Sequence, residues 1–506
     1  MNSATVFEYL ADKIGAAMEA EYATWKIKGV KGNSLKNYGL KHTKRFPASE
    51  TVLLQLVRNA VCYGKDKLLL SSEDGNTLYC YNGKYFEVVE VRADKFVKEL
   101  VRRVFRALGI GMAYQTDVAS IIARECVETL TSSDEYLYVP EHRYIAFDNG
   151  IFDVQSGRLK AFDVKYKPYI ALDIPYSPAK DLYIEYDKKY GSKREVNPAK
   201  LWEWKIGEII PNKDMRDAFQ MFCGSLLLDR EKDAKIEYVC YLIGSGSNGK
   251  SVLASAIAGV FGEKYFSRFT PRQLFKDSDA RVNIAALQGK IANLVGDLDE
   301  AEIAGGDFKR FASGEKFQGR RNYKDPIQVV APPLLVCTNA MPETSDDSWG
   351  HHRRQLPIHT TLHQFTDEDK DPYLTQKLTT PEARAWIFTW IYDGYKTIMR
   401  NGGNVVLGKD VQKAQRILQD RSSSMRMWWS DNQYQIVENP TEKDPRWRPL
   451  KDLYKEYCAY AEENGFESKK KNKEVAAMIR SKGASEDSGN ERRTSDGTCF
   501  CVERIS

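Results

Sequence analysis

The sequence predicts an α/β protein built on a phosphate-binding loop, with a smaller α+β region before it and a helix-helix-hairpin unit at its end. Three observations carry this. The apolar run Ile236–Ile243 meets the glycine-rich loop 244–251 (GSGSNGKS) and passes straight into a small-residue helical pattern. Two further apolar runs end in polar groups, one at Asp297 and one at Asn339. The last stretch reads as a helix (450–463), a basic turn and helix (469–482) and two short β runs ending in CFCVERI, the outline of a winged helix.

A chain of 506 residues holds about three domains at ~150 residues each. Apolar content of 42% fits packed cores, and no apolar run approaches the ~20 residues of a membrane span. A soluble protein with no membrane partner is expected. The N-terminal stretch MNSATVFEYLADKIGAAMEA carries acids inside its apolar pattern and lacks the basic-then-apolar order of an export signal, so a cytoplasmic place is expected. The nine cysteines include no C-x-x-C pair, which argues against a disulfide or zinc framework. His351-His352 reads as local polar structure, not as metal ligands. With 75 basic against 70 acidic residues, overall charge does not announce a nucleic-acid partner, so local clusters must.

In chain order, residues 1–74 form an N-terminal helical region of unassigned role, with a basic segment from Lys36 to Arg45 that reads as solvated surface. Residues 75–228 form an α+β domain. LYCYNGKYFEVVEV (78–91) is a hairpin about Asn82-Gly83, and helical patterns run from about Asp94 to Leu130. RYIAFDNGIFDVQSGRLKAF (143–162) alternates about the turn signals Asn149-Gly150 and Ser156-Gly157. Aromatic, proline-marked segments continue to about 185, and Trp202 to Leu228 reads as helix. Residues 229–365 are the nucleotide-binding core and 366–437 a helical region in which Trp386 and Trp390 share one buried face. A proline- and charge-rich linker (438–449) opens the terminal unit, 438–506.

The loop fits G-x-x-x-x-G-K-S, and each position has a physical task. Gly244, Gly246 and Gly249 permit backbone angles other residues resist, so the N–H groups of Ser245, Ser247, Asn248 and their neighbours can turn inward around phosphate. The following helix adds its N-terminal partial charge. Lys250 is the ligand for the β- and γ-phosphates of ATP, and the Ser251 hydroxyl is a ligand for Mg²⁺.

Hydrolysis needs a carboxylate-bearing strand as well. KIANLVGDLDE (290–300) supplies Asp297 as first choice for the metal, with Asp299 or Glu300 to polarise the attacking water. Asn339, closing the run PPLLVCTN, can orient that water. Arg353 and Arg354 are candidates for the cation that stabilises transition-state charge when supplied by a neighbouring subunit. Between these lies FKRFASGEKFQGRRNYKDP (308–326), where Lys309, Arg320, Arg321, Tyr323 and Lys324 offer charge for phosphates and a ring for a base.

The order GSGSNGKS, the strand ending at Asp297, FKRFASGEKFQGRRNYKDP, LLVCTNAMP and WGHHRRQLPI resembles the superfamily 3 DNA helicases. It is most similar to the phage/plasmid primase family, whose helicase half is shared with poxvirus-type replicative ATPases. The resemblance extends over roughly residues 75–506. It implies an AAA+-like core, a homo-hexameric ring with ATP sites between subunits, and single-stranded DNA passing hairpins that carry Lys324. It further implies 3′ to 5′ movement on single-stranded DNA, binding of forked DNA, and work beside a replication initiator, primase or polymerase of a phage, plasmid or other mobile element. An origin-binding initiator that melts DNA locally is the alternative. Asp-Leu-Asp-Glu replaces the family's usual lone glutamate, and His351-His352 replaces its commoner hydrophobic residues. The residues before the resemblance carry no paired acids for nucleotidyl transfer, so no primer synthesis is expected.

Overall fold

The computed structural model describes residues 3–27, 55–63, 66–73, 75, 77–108, 117–133, 136–138, 142–177, 197–296, 305–321, 326–341, 348–367, 370–421, 424–464, 472–495 and 497–504. The segment Lys36 to Arg45 and the proline-marked stretch beyond 177 lie outside these residues. Several sheets and many helices make a mixed α/β architecture.

The chain opens with the helix Ser3–Ile27, which packs with the helical turn Asn59–Tyr63 on an antiparallel sheet of β1 (Leu69–Ser71), β2 (Leu78–Tyr81) and β3 (Phe86–Val88). The β2–β3 turn is the one expected. The Asn82 carboxamide oxygen accepts from the backbone N–H of Lys84 and Tyr85, both at 3.0 Å, and Gly83 takes φ 99°. Helices Ala93–Ala107 and Asp117–Thr131 complete the layer, and one apolar core runs from Val6 to Leu137. The expected boundary at 74/75 is therefore corrected. It falls between β1 and β2, which pair directly, Leu69 opposite Cys80.

A second sheet follows, in the order β6-β5-β4-β7, from β4 (Tyr144–Phe147), β5 (Gly150–Asp153), β6 (Arg158–Lys160) and β7 (Ile170–Ala171). The helical stretch beyond it is two helices, Pro198–Ile209 and Lys213–Ser225, instead of one. The break has a local cause: Pro211 has no N–H to donate, and the Asn212 side chain caps the second helix by accepting from Met215 N at 3.1 Å.

The central sheet is parallel, in the order β14-β8-β13-β10-β9: β8 (Val239–Ile243), β9 (Phe266–Ser267), β10 (Ala292–Val295), β13 (Leu334–Thr338) and β14 (Gln355–His359). Between β10 and β13 the chain makes the helix Gly305–Ala312 and an antiparallel hairpin of β11 (Lys316–Gly319) and β12 (Ile327–Val330). Every residue of β8, β10 and β13 is buried, as continuous apolar runs covered on both faces must be. One face packs on the helices Lys250–Phe261 and Pro381–Arg400 in a core that also holds Phe152, Trp202 and Phe222, so residues 143–228 share their core with the sheet rather than forming a separate domain. The tryptophan expectation holds: Trp386 is buried, and Trp390 meets Trp202 edge-on at 5.1 Å. The other face packs on Phe308, Phe311, Phe317 and Ile327.

The terminal unit joins β15 (Tyr434–Ile436), β16 (Trp447–Pro449), β17 (Glu491–Thr494) and β18 (Gly497–Arg504), with β18 antiparallel to the other three. Helices Leu450–Glu463 and Asn472–Ser481 lie between β16 and β17. The stretch 438–449 is thus not only a linker, since Trp447 pairs opposite Cys501. The boundary at 437/438 moves back as well. The helix Ser424–Asp431 sends Trp428 into the terminal core, 5.2 Å from the Tyr434 ring and beside Tyr457 and Phe500. Among the described residues no helix is long and apolar enough to cross a membrane.

Candidate active site

The loop 244–251 leaves the carboxyl end of β8 and enters the helix Lys250–Phe261. Its glycines divide their work differently from the sequence expectation. Only Gly249 takes the left-handed conformation, φ 86°, and a Cβ there would lie 2.6 Å from Ile209 Cδ1; Ser247 shares that backbone region at φ 60°. Gly244 is required for space: an added Cβ would collide with Asn248 Nδ2 and Thr360 Oγ1. Around Gly246 there is open room.

The loop is fastened from both sides. Asn248, buried, donates to Thr360 Oγ1 at 2.8 Å, and Thr360 in turn donates to the carbonyl of Ile243. The N–H of Phe365 donates to Ser247 O at 2.8 Å, and that of Thr361 to Ile209 O at 2.8 Å. These partners lie far away in the chain, and no local pattern marked them.

Lys250 is buried at the helix start, and its ammonium donates to Gly244 O, to Asn248 Oδ1 at 3.1 Å and to Asn339 Oδ1 at 3.3 Å. Ser251 is exposed beside it and Ser245, Gly246 and Ser247 are exposed on the loop. The structure thus brings Lys250 and Asn339 together, as the sequence expects. β13, which ends at Thr338 beside Asn339, lies directly next to β8, and β10 lies one strand further out. Asp297, Asp299 and Glu300 follow β10 outside the described residues. Among the described residues no cluster of three or more His, Cys, Asp or Glu side chains is placed to hold a metal.

The arginines sit at the other end of the sheet. Arg354 O accepts from Val239 N, the first residue of β8, so both side chains lie at the amino edge of strands whose carboxyl edge carries the loop. A five-residue strand separates the two edges, roughly 16 Å. Glu237 collects both cations: Arg353 at 2.6 Å, Arg354 at 3.2 Å, with Ser313 Oγ donating at 2.8 Å. The two arginines are not equivalent. Arg354 is mostly buried and also donates to Gly350 O at 2.6 Å, whereas 41% of the Arg353 side chain is exposed. His351 and His352 are buried beside them, His351 against Phe308 at 4.2 Å and His352 against Gln355, as local structure.

Burial pushes the Glu237 carboxyl up, but Ser313, Arg353 and Arg354 outweigh it and bring it down to about 2. A depressed acid contributes stability that is complete above its unfolded value and is lost as pH falls towards the folded one. The melting-temperature gap between the wild type and Glu237→Gln should therefore be constant above about pH 5 and shrink as pH falls towards about 2. A thermal melt series over that range checks it.

The basic stretch 308–326 resolves into separate parts. Lys309 lies on the helix Gly305–Ala312, which ends before Gly314 at φ 67°, while Arg320 is exposed at the end of β11. Arg321 turns inward, donating to Thr77 Oγ1 at 2.8 Å and to Gln288 Oε1, so it ties the hairpin to the first sheet. Tyr323 and Lys324, at the expected tip, lie outside the described residues. Arg230 holds the root of the hairpin. Its guanidinium, which burial pushes down to about 10, donates to Ala331 O at 2.7 Å, Ile236 O at 3.1 Å and Ala312 O.

Fold and site together define a mixed α/β protein whose parallel sheet carries a glycine-rich loop at one edge and an arginine pair at the other. Residues 242–354, from within β8 to the second arginine, match a family model described as "Family of unknown function (DUF5906)". Among solved structures, "The A form apo structure of NrS-1 C terminal region-CTR" is similar over 87% of this chain and 96% of that chain, at 11% identity and TM-score 0.40. "The apo structure of NrS-1 C terminal region (305-718)" is similar over 87% of this chain and 100% of that chain, at 11% identity and TM-score 0.38.

Proposed function

We propose that the chain is an ATP-dependent DNA helicase that drives replication of a phage, plasmid or other mobile element as a homo-hexameric ring on single-stranded DNA. In this reading the central sheet is an AAA+-like P-loop core and the terminal unit a winged helix. The observation that carries it is the placement of Lys250 within 3.3 Å of Asn339 at the carboxyl edge of the sheet, with the arginine pair at the far edge.

The residues present fit ATP and Mg²⁺. Gly246 faces open room, the Lys250 ammonium is fixed at the loop, and Ser251 is exposed at the helix start. In this reading Lys250 would neutralise the β- and γ-phosphates, Ser251 and Asp297 would hold the metal, and Asn339 would orient the attacking water with Asp299 or Glu300. Bound Mg²⁺ supplies Lewis-acid stabilisation of phosphoryl charge. Arg353 acts on the site of the next subunit, because in its own subunit it lies a strand length from the loop, and Glu237 holds it in place. Lys309, Arg320 and Lys324 meet the DNA backbone with Tyr323 stacking, and Arg321 anchors the hairpin.

The purified chain should separate forked DNA with ATP and Mg²⁺, and electron microscopy with single-stranded DNA should show six-membered rings. DNA-stimulated hydrolysis without strand separation would sink the helicase reading. The terminal unit, with its own core and its helix-strand-strand-helix-helix-hairpin order, favours one second reading: an origin-binding initiator that melts DNA locally. A protected duplex sequence in footprints of the full chain would favour it.

A further inference from the structure

Beside the loop lies a feature that phosphate chemistry does not use. Lys205, on the helix Pro198–Ile209, is buried, and its ammonium pairs with Glu208 at 2.6 Å. The same ammonium lies over two rings, Trp204 at 4.1 Å from the centroid and Phe365 at 5.7 Å. Burying an ammonium is costly without such partners, so this charge is held in place by one carboxylate and two aromatic faces. Trp204 is nevertheless 61% exposed, a large apolar surface left in water directly against a fixed polar pair.

The position of this cluster gives it meaning. Phe365 is bonded through its own N–H to Ser247 of the loop, and Ile209, on the same helix as Trp204 and Lys205, packs at Gly249 and accepts from Thr361. The aromatic faces are therefore built onto the loop that would hold phosphates. A nucleobase offers what they lack: a flat π-face for a ring and an edge of donors and acceptors for an ammonium and a carboxylate.

We propose that Trp204, Lys205, Glu208 and Phe365 form a recognition shelf for the base of the nucleoside triphosphate whose phosphates occupy the loop 244–251. Trp204 and Phe365 stack on the base, and Lys205 and Glu208 meet its polar edge. The shelf rests on the loop being a triphosphate site, but it assigns residues that the loop motif does not contain.

Titration calorimetry of the full chain with ATP and with inorganic tripolyphosphate, both with Mg²⁺, tests it. ATP should bind the wild type more tightly. Trp204→Ala and Phe365→Ala should each weaken ATP roughly ten-fold and leave tripolyphosphate unchanged. Trp204→Phe should retain most of the ATP affinity, and because Trp204 is exposed the two Trp204 substitutions leave the core intact. Equal wild-type affinity for the two ligands, or equal weakening of both by Trp204→Ala, would overturn the shelf while leaving the phosphate loop standing. Wild-type protein that binds neither ligand would overturn both.

Discussion

Lys250→Ala should lose ATP hydrolysis by on the order of 10²-fold or more, and strand separation with it, while single-stranded DNA binding persists. The ammonium is held by three acceptors at one point, two on the loop and one on Asn339. Removing it takes away the only side-chain cation among the described residues that contacts the loop backbone and Asn339 together. Lys250→Arg should not rescue, since a planar fork does not fit a place shaped for a compact ammonium. A coupled hydrolysis assay beside a DNA-binding titration on the same preparation checks both halves. Retained hydrolysis would remove the loop from the mechanism.

Mixing two inactive variants should restore activity. Arg353→Ala should lower hydrolysis by roughly 10³-fold, the range seen where such a cation is supplied to a phosphoryl site by another molecule. If Lys250 and Arg353 serve one site from different subunits, rings assembled from Lys250→Ala and Arg353→Ala chains contain interfaces with both residues intact, and hydrolysis reappears. If both act within one subunit, the mixture stays as inactive as its parts. Arg354→Ala separates the neighbour from the actor: Arg354 is mostly buried on Glu237 and Gly350, so its removal should lower the melting temperature as well as activity. Arg353→Ala should lower melting less than Arg354→Ala, because its side chain is more exposed and its pairing with Glu237 is more screened.

What could be read from the sequence was whatever is written locally. The loop, the apolar runs Val239–Ile243 and Leu334–Thr338 and the turn at Asn82-Gly83 all depend on residues within one short window. Strand order does not. Nothing near Val295 tells that β13 is inserted between it and β8, because parallel strands are joined by long crossovers. The same holds for boundaries. A break at 74/75 looks reasonable where a helical pattern gives way to a β pattern, yet Leu69 pairs with Cys80 across it. Single polar residues were the least legible. Glu237 sits in a charged stretch like many others, and its role follows from Arg353, Arg354 and Ser313 arriving from elsewhere in the chain. Arg321 read as one more exposed cation in a basic run until Thr77 and Gln288 claimed it.

The Arg230 guanidinium has a mechanical consequence. Its three carbonyl acceptors belong to the entry of the loop-bearing strand, the end of the helix Gly305–Ala312 and the exit of the hairpin. A charged donor shared among three chain segments acts as a rivet. Bending at the hairpin's root would have to break these charge-assisted bonds together. Hairpin and sheet are therefore fastened as one body, and in the helicase reading proposed above a stroke on DNA would come from rotation of that body against the next subunit.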